Sequence, residues 1–97
     1  MLPKREIFEI TRILEEQPVE KAWLFGSYSR DEESDTSDVD LMIRFQKPNN
    51  ISLFSYIHLI NLLSDATGRR IDLIEEGRLK GFTEDSFEKD KILIYER

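Results

Sequence analysis

The sequence predicts an α/β (α+β) domain: a mixed sheet of three to four strands with helices packed on it. Two observations carry this. Strand-length apolar runs at 19–25, 38–45 and 71–74 alternate with stretches whose apolar residues recur at helical spacing. The middle run, Leu41-Met42-Ile43, is apolar on both faces, as a central strand requires.

The elements follow in order. Pro3 suits a first helical turn, and Ile7, Ile10 and Leu14 form a stripe widened by Phe8 and Ile13, so the first helix ends before Pro18. Val19 to Phe25 is the first strand. Gly26-Ser27 turns the chain, Tyr28 to Glu33 makes a short helix, and Asp38 to Phe45 is the second strand. Lys47-Pro48-Asn49-Asn50 is a turn. A long helix follows, capped by Ser52 and stopped at Gly68, built on Leu53, Tyr56, Ile57, Ile60 and Leu63 with Phe54, Leu59 and Leu62 beside them. Its apolar residues cover more than half its girth, so it needs cover on two sides, from the domain or from a partner. Ile71 to Ile74 is the third strand. Thr83 caps a last helix, with Phe82 and Phe87 as a hydrophobic staple. The run Ile92-Leu93-Ile94-Tyr95 suits a helix end or a short strand, and the helix is the preferred reading.

Composition bounds the function. The 97 residues fit a single domain, 1–97. A net charge of −6 argues against a large nucleic-acid footprint, which normally shows as a basic patch. The absence of cysteine favours a reducing cytoplasm. The first residues lack the apolar run of a signal peptide, and no stretch approaches the roughly 18 apolar residues of a membrane span.

The chemistry is concentrated in the second strand. Asp38 and Asp40 are two residues apart, so on a strand they point the same way, about 6.5 Å apart. Two such charges repel unless a cation lies between them, and Mg²⁺ suits a few carboxylates plus substrate phosphates. Gly26 lets a phosphate approach the backbone, Ser27 adds a hydroxyl donor, and a helix start offers free N–H groups. Arg30 divides evenly between a phosphate contact and a surface ion pair. Asp72, in the third strand, becomes the third carboxylate and the general base if its strand lies beside the second. Without Gly26-Ser27, the two acids would read as a solvated strand start. The glycine–serine pair and the apolar run after the acids favour the metal site. Ser29 and Ser37 read as turn and capping residues, Trp23 as core, and His58 as structural or interfacial. Arg69 and Arg70 divide between steering a triphosphate and simple solvation.

Gly26-Ser27, ten further residues, then Asp38-Val39-Asp40 resembles the signature of the minimal nucleotidyltransferases, the smallest branch of the polymerase-β-like superfamily. The likeness is close over Trp23 to Ile43 and looser through Asp72. One departure is Asp31, where the family often has glycine. The resemblance implies the small nucleotidyltransferase fold, with Asp38, Asp40 and Asp72 as catalytic and metal residues and Gly26, Ser27 and Arg30 at the nucleotide. It implies one or two Mg²⁺ ions and transfer of AMP from ATP to a hydroxyl. It also implies an antitoxin role beside a small helical partner of the HEPN class. A chain this small has no room for an acceptor domain, so the acceptor is expected to be another protein or another copy in a homo-oligomer. The alternative is a non-catalytic module that masks a toxin by binding it.

Overall fold

The computed structural model describes residues 2–30, 34, 37–48, 51–76 and 89–97. Helix α1 (Lys4–Glu15) leads into β1 (Val19–Phe25), a 3-10 turn (Gly26–Arg30), β2 (Val39–Phe45), α2 (Leu53–Thr67), β3 (Ile71–Glu75) and β4 (Ile92–Glu96). The sheet order is β3-β2-β1-β4. β1 is antiparallel to both β2 and β4, whereas β2 and β3 are parallel, joined by α2 as the crossover. The sheet is therefore mixed and four-stranded, as the sequence predicts.

Strand alternation divides the sheet into two faces. Ala22, Leu24, Leu41 and Ile43 are buried against Ile10 and Leu14 of α1 and Leu59 and Leu63 of α2. Each buried leucine or isoleucine among them contributes about 1.5–3 kcal/mol by leaving water. On the far face, Trp23 and Met42 form a second cluster with Phe25 and Ile74. Trp23 is thus core, as expected, and lies beneath two cations, Arg44 at 5.4 Å and Lys91 at 5.8 Å.

Both ends of α2 follow their sequence signals. The Ser52 hydroxyl accepts the Ser55 N–H at 3.1 Å, and Gly68 closes the helix with φ 68°. Among the described residues, the helix is buried at Leu59 and Leu63, on one side. Leu53, Phe54 and Ile57 of its first turns are exposed, Phe54 by 84%. Phe8 also departs from the expected stripe: it points outward, with Arg12 over its ring.

The main correction is at the C-terminus. Ile92–Glu96 is a strand, not a helix end. Without it, β1 would be a sheet edge with a row of unpaired N–H and C=O groups, and pairing Lys21 with Glu96 and Trp23 with Leu93 removes that edge. Arg97 secures the strand by donating to the carbonyls of Val19, Glu15 and Gln17. The expected Thr83 cap and the Phe82–Phe87 staple lie outside the described residues. Among the described residues, no helix is long and apolar enough to cross a membrane.

Candidate active site

The candidate site forms where β1 ends and β2 begins. Phe25 pairs with Asp40 in the antiparallel ladder, so the turn after Phe25 lies directly beside that carboxylate. Gly26 starts the turn with φ 73°, a conformation open to glycine at little cost. Its missing side chain also makes the space: a Cβ at this position would fall on the Asp40 carboxylate oxygen Oδ2. The turn is a 3-10 helix from Gly26, two residues earlier than the expected helix start at Tyr28. Ser29 closes it by donating to the Gly26 carbonyl at 2.7 Å, a turn role. Ser37 accepts the Ser34 N–H at 2.9 Å, another turn contact. The Arg30 side chain lies outside the described residues.

The parallel ladder brings the acids of two strands together. Asp40 and Asp72 are direct partners between β2 and β3, on strands about 4.8 Å apart. By alternation they share the far face with Met42 and Ile74. Asp38 lies one residue before β2. Its Oδ1 takes the Arg70 Nε at 2.9 Å, and the next N–H, from Val39, donates to the Arg70 carbonyl at 2.9 Å. Two of the three expected acids therefore stand in register, while the third is neutralised by an arginine. Among the described residues, no three His, Cys, Asp or Glu side chains form a closed metal cluster. The donor chemistry still fits a hard cation: two carboxylates side by side, the glycine gap against one of them, and a third held at the strand mouth by an exposed guanidinium.

One network has no local signal in the sequence. Arg69 donates to both Glu6 oxygens, Nε at 2.6 Å and Nη2 at 3.2 Å, and its Nη1 meets the Tyr28 hydroxyl at 2.9 Å. Glu6 is only 6% exposed and Tyr28 only 2%. These hydrogen bonds, chiefly those to Glu6, hold Arg69 firmly protonated. Glu6 is 63 residues away along the chain, so only the fold reveals the contact. A groove of about 570 Å³ beside the first turn of α2, lined by Phe45, Ile51, Tyr56 and Leu73, contains none of the predicted site residues.

Comparison with known proteins gives a family and a fold. Residues 9–97 fit the family described as Polymerase beta, Nucleotidyltransferase. A candidate protein adenylyltransferase of Methanocaldococcus jannaschii is 39% identical over 95 residues, covering 92% of this chain and 95% of that protein. The protein adenylyltransferase MntA of Thermococcus cleftensis is 37% identical over 62 residues, 64% of this chain and 61% of that one. A toxin–antitoxin crystal structure with AMP-PNP shares the fold at a TM-score of 0.77 and 17% identity, over 94% of this chain and 73% of that one. The Shewanella oneidensis complex of a tri-AMPylated HEPN toxin with an MNT antitoxin superposes at 0.69 and 16% identity, over 95% and 71%.

Proposed function

Because the chain belongs to the polymerase beta nucleotidyltransferase family, in its minimal branch, we propose that this enzyme transfers AMP from Mg-ATP to a hydroxyl of a partner protein. The partner we propose is a small helical HEPN-type toxin, with this chain as the cytoplasmic antitoxin. The observation that carries the reading is the register pair Asp40 and Asp72 beside the Gly26 gap. A module that only masks a toxin has no physical need for adjacent carboxylates, which repel each other.

The roles follow from position. Gly26 lets the triphosphate approach the backbone, and the Ser27 hydroxyl and Arg30 donate to its oxygens. Asp38, Asp40 and Asp72 would hold one or two magnesium ions. When bound, magnesium would neutralise phosphate charge and favour ionisation of the acceptor hydroxyl. Asp72, exposed at the strand surface, takes the hydroxyl proton. The acceptor oxygen then bonds to the α-phosphorus, the bond from that phosphorus to the bridging oxygen breaks, and pyrophosphate leaves with the electron pair. Catalysis is mainly alignment and charge neutralisation.

The test is label transfer from α-labelled ATP to the product of the neighbouring gene, with Mg²⁺ or with a chelator. Wild type should label the partner only with the metal. Asp38→Asn/Asp40→Asn should lose about a thousandfold or more, the scale of several kcal/mol of charge stabilisation. Transfer that survives the double change defeats the site assignment. Toxin neutralisation by that variant, with no label transferred by wild type, favours the masking module.

A further inference from the structure

Resting on the transfer reading above, we propose that Arg69 is a positioning residue for the reaction, holding the Gly26–Ser27 turn against the carboxylate pair through Tyr28. Tyr28 sits in the middle of the 3-10 turn with its side chain in the core, so fixing its ring and hydroxyl fixes the turn around it. The Arg69 guanidinium contacts that hydroxyl while forked on the buried Glu6. A planar, multiply donating group can make all three contacts at once, whereas a lysine ammonium lacks the fork.

Arg69 is itself rigidly held. It follows the left-handed Gly68, its carbonyl accepts the Ser64 hydroxyl at 2.8 Å, and its N–H meets the Thr67 hydroxyl at 3.3 Å. From there the chain runs directly through the rest of the site. Arg70 holds Asp38 by side chain and Val39 by carbonyl, and Asp72 is the register partner of Asp40. Four consecutive residues, 69 to 72, therefore tie together the turn and all three acids. Arg69 is the link that reaches the turn. A turn released from this link is no longer preorganised for the triphosphate, so nucleotide binding weakens by the cost of ordering it.

The experiment compares Arg69→Lys, Tyr28→Phe and the double variant in the full chain. Tyr28→Phe keeps the ring and leaves the Glu6 pair intact, so it separates positioning from folding. Amide exchange over residues 28–30, followed by NMR below the melting temperature, reads the clamp without any activity. We expect exchange about tenfold faster in each single variant, the scale of one charge-assisted hydrogen bond. The KM for ATP should rise severalfold, more than kcat falls, and the double variant should be no worse in KM than Arg69→Lys alone. Unchanged exchange and KM in both single variants of an active protein, with only the melting temperature lowered, overturn the positioning role and leave the transfer reading standing. Faster exchange in the single variants of a protein whose wild type is inert towards ATP and every partner overturns the transfer reading, and with it the reaction role of Arg69.

Discussion

The two faces of the sheet are built from alternate residues of the same strands, yet they hold together by different forces. On the helix-covered face, Val39, Leu41 and Ile43 are buried without exception, meeting α1 and α2 in one apolar layer. On the far face, the intervening residues Asp40, Met42 and Arg44 run from carboxylate through apolar to cation. Only Trp23 and Met42 are buried there, and no helical residue joins their cluster among the described residues. The covered face leaves no position for chemistry. A period of two lets the fold keep a full core while every second residue remains available for a site.

Adjacent residues of β2 give the sharpest break of this comparison. Leu41→Ala should cost about 3 kcal/mol by loss of transfer energy and creation of a cavity. For a domain of this size that lowers the melting temperature by on the order of 15 °C. Asp40→Asn, one residue away, should change stability by no more than about 0.5 kcal/mol, since it keeps the size of a side chain that is not in the core. Calorimetry of the two variants decides. Comparable losses would mean that the far face is structural too.

Two glycines with nearly the same φ sharpen the point. Among the described residues, nothing lies within 4 Å of where a Cβ would stand at Gly68, φ 68°, whereas at Gly26 the Cβ meets Asp40. Gly68→Ala should cost about 1 kcal/mol, the penalty of the left-handed region alone. Gly26→Ala should cost about 2 kcal/mol and displace the carboxylate, abolishing transfer. Adding Asp40→Ala to Gly26→Ala should recover the steric part in urea denaturation while leaving activity lost. No recovery would show that the gap is not shaped for that carboxylate.

What was legible in the sequence was local. The Ser52 cap and the Gly68 stop lie at the two ends of one helix and stand where their chemistry predicts, and the Gly26-Ser27 to Asp38-Val39-Asp40 spacing is short enough to be seen as one pattern. Asp72 was legible as a strand acid, but its register with Asp40 depends on a parallel crossover, which no short pattern encodes. The terminal strand reads as a helix end in the sequence because four apolar residues suit either structure. The deciding factor is the unpaired edge of β1, about 70 residues upstream. The Arg69–Glu6–Tyr28 network was missed for the same reason: a basic pair at a strand start looks solvated until the fold brings a buried carboxylate to it.

The smallest effect tests the electrostatic side of the comparison. On the far face, Arg44 donates to both oxygens of Glu76, at 2.7 and 2.9 Å, and to Glu20 at 3.2 Å. The hydrogen bonds from Arg44 hold the Glu76 carboxyl below its usual 4.5, outweighing the opposing effect of burial. A depressed folded pKa gives stability that is complete above the unfolded value and is lost as pH falls through the folded one. The contribution of Glu76 is therefore present at pH 7 and disappears progressively below about pH 4.5. Both partners are more than a third exposed, so solvent screening limits it to about 0.5 kcal/mol. Glu76→Gln should show that small deficit in urea unfolding at pH 7 and none near pH 2, whereas the Leu41→Ala deficit should persist in acid. A Glu76→Gln deficit that survives at low pH would assign the contribution to the placing of Arg44 over Trp23 rather than to charge, and the two faces would then differ less in kind than their residues suggest.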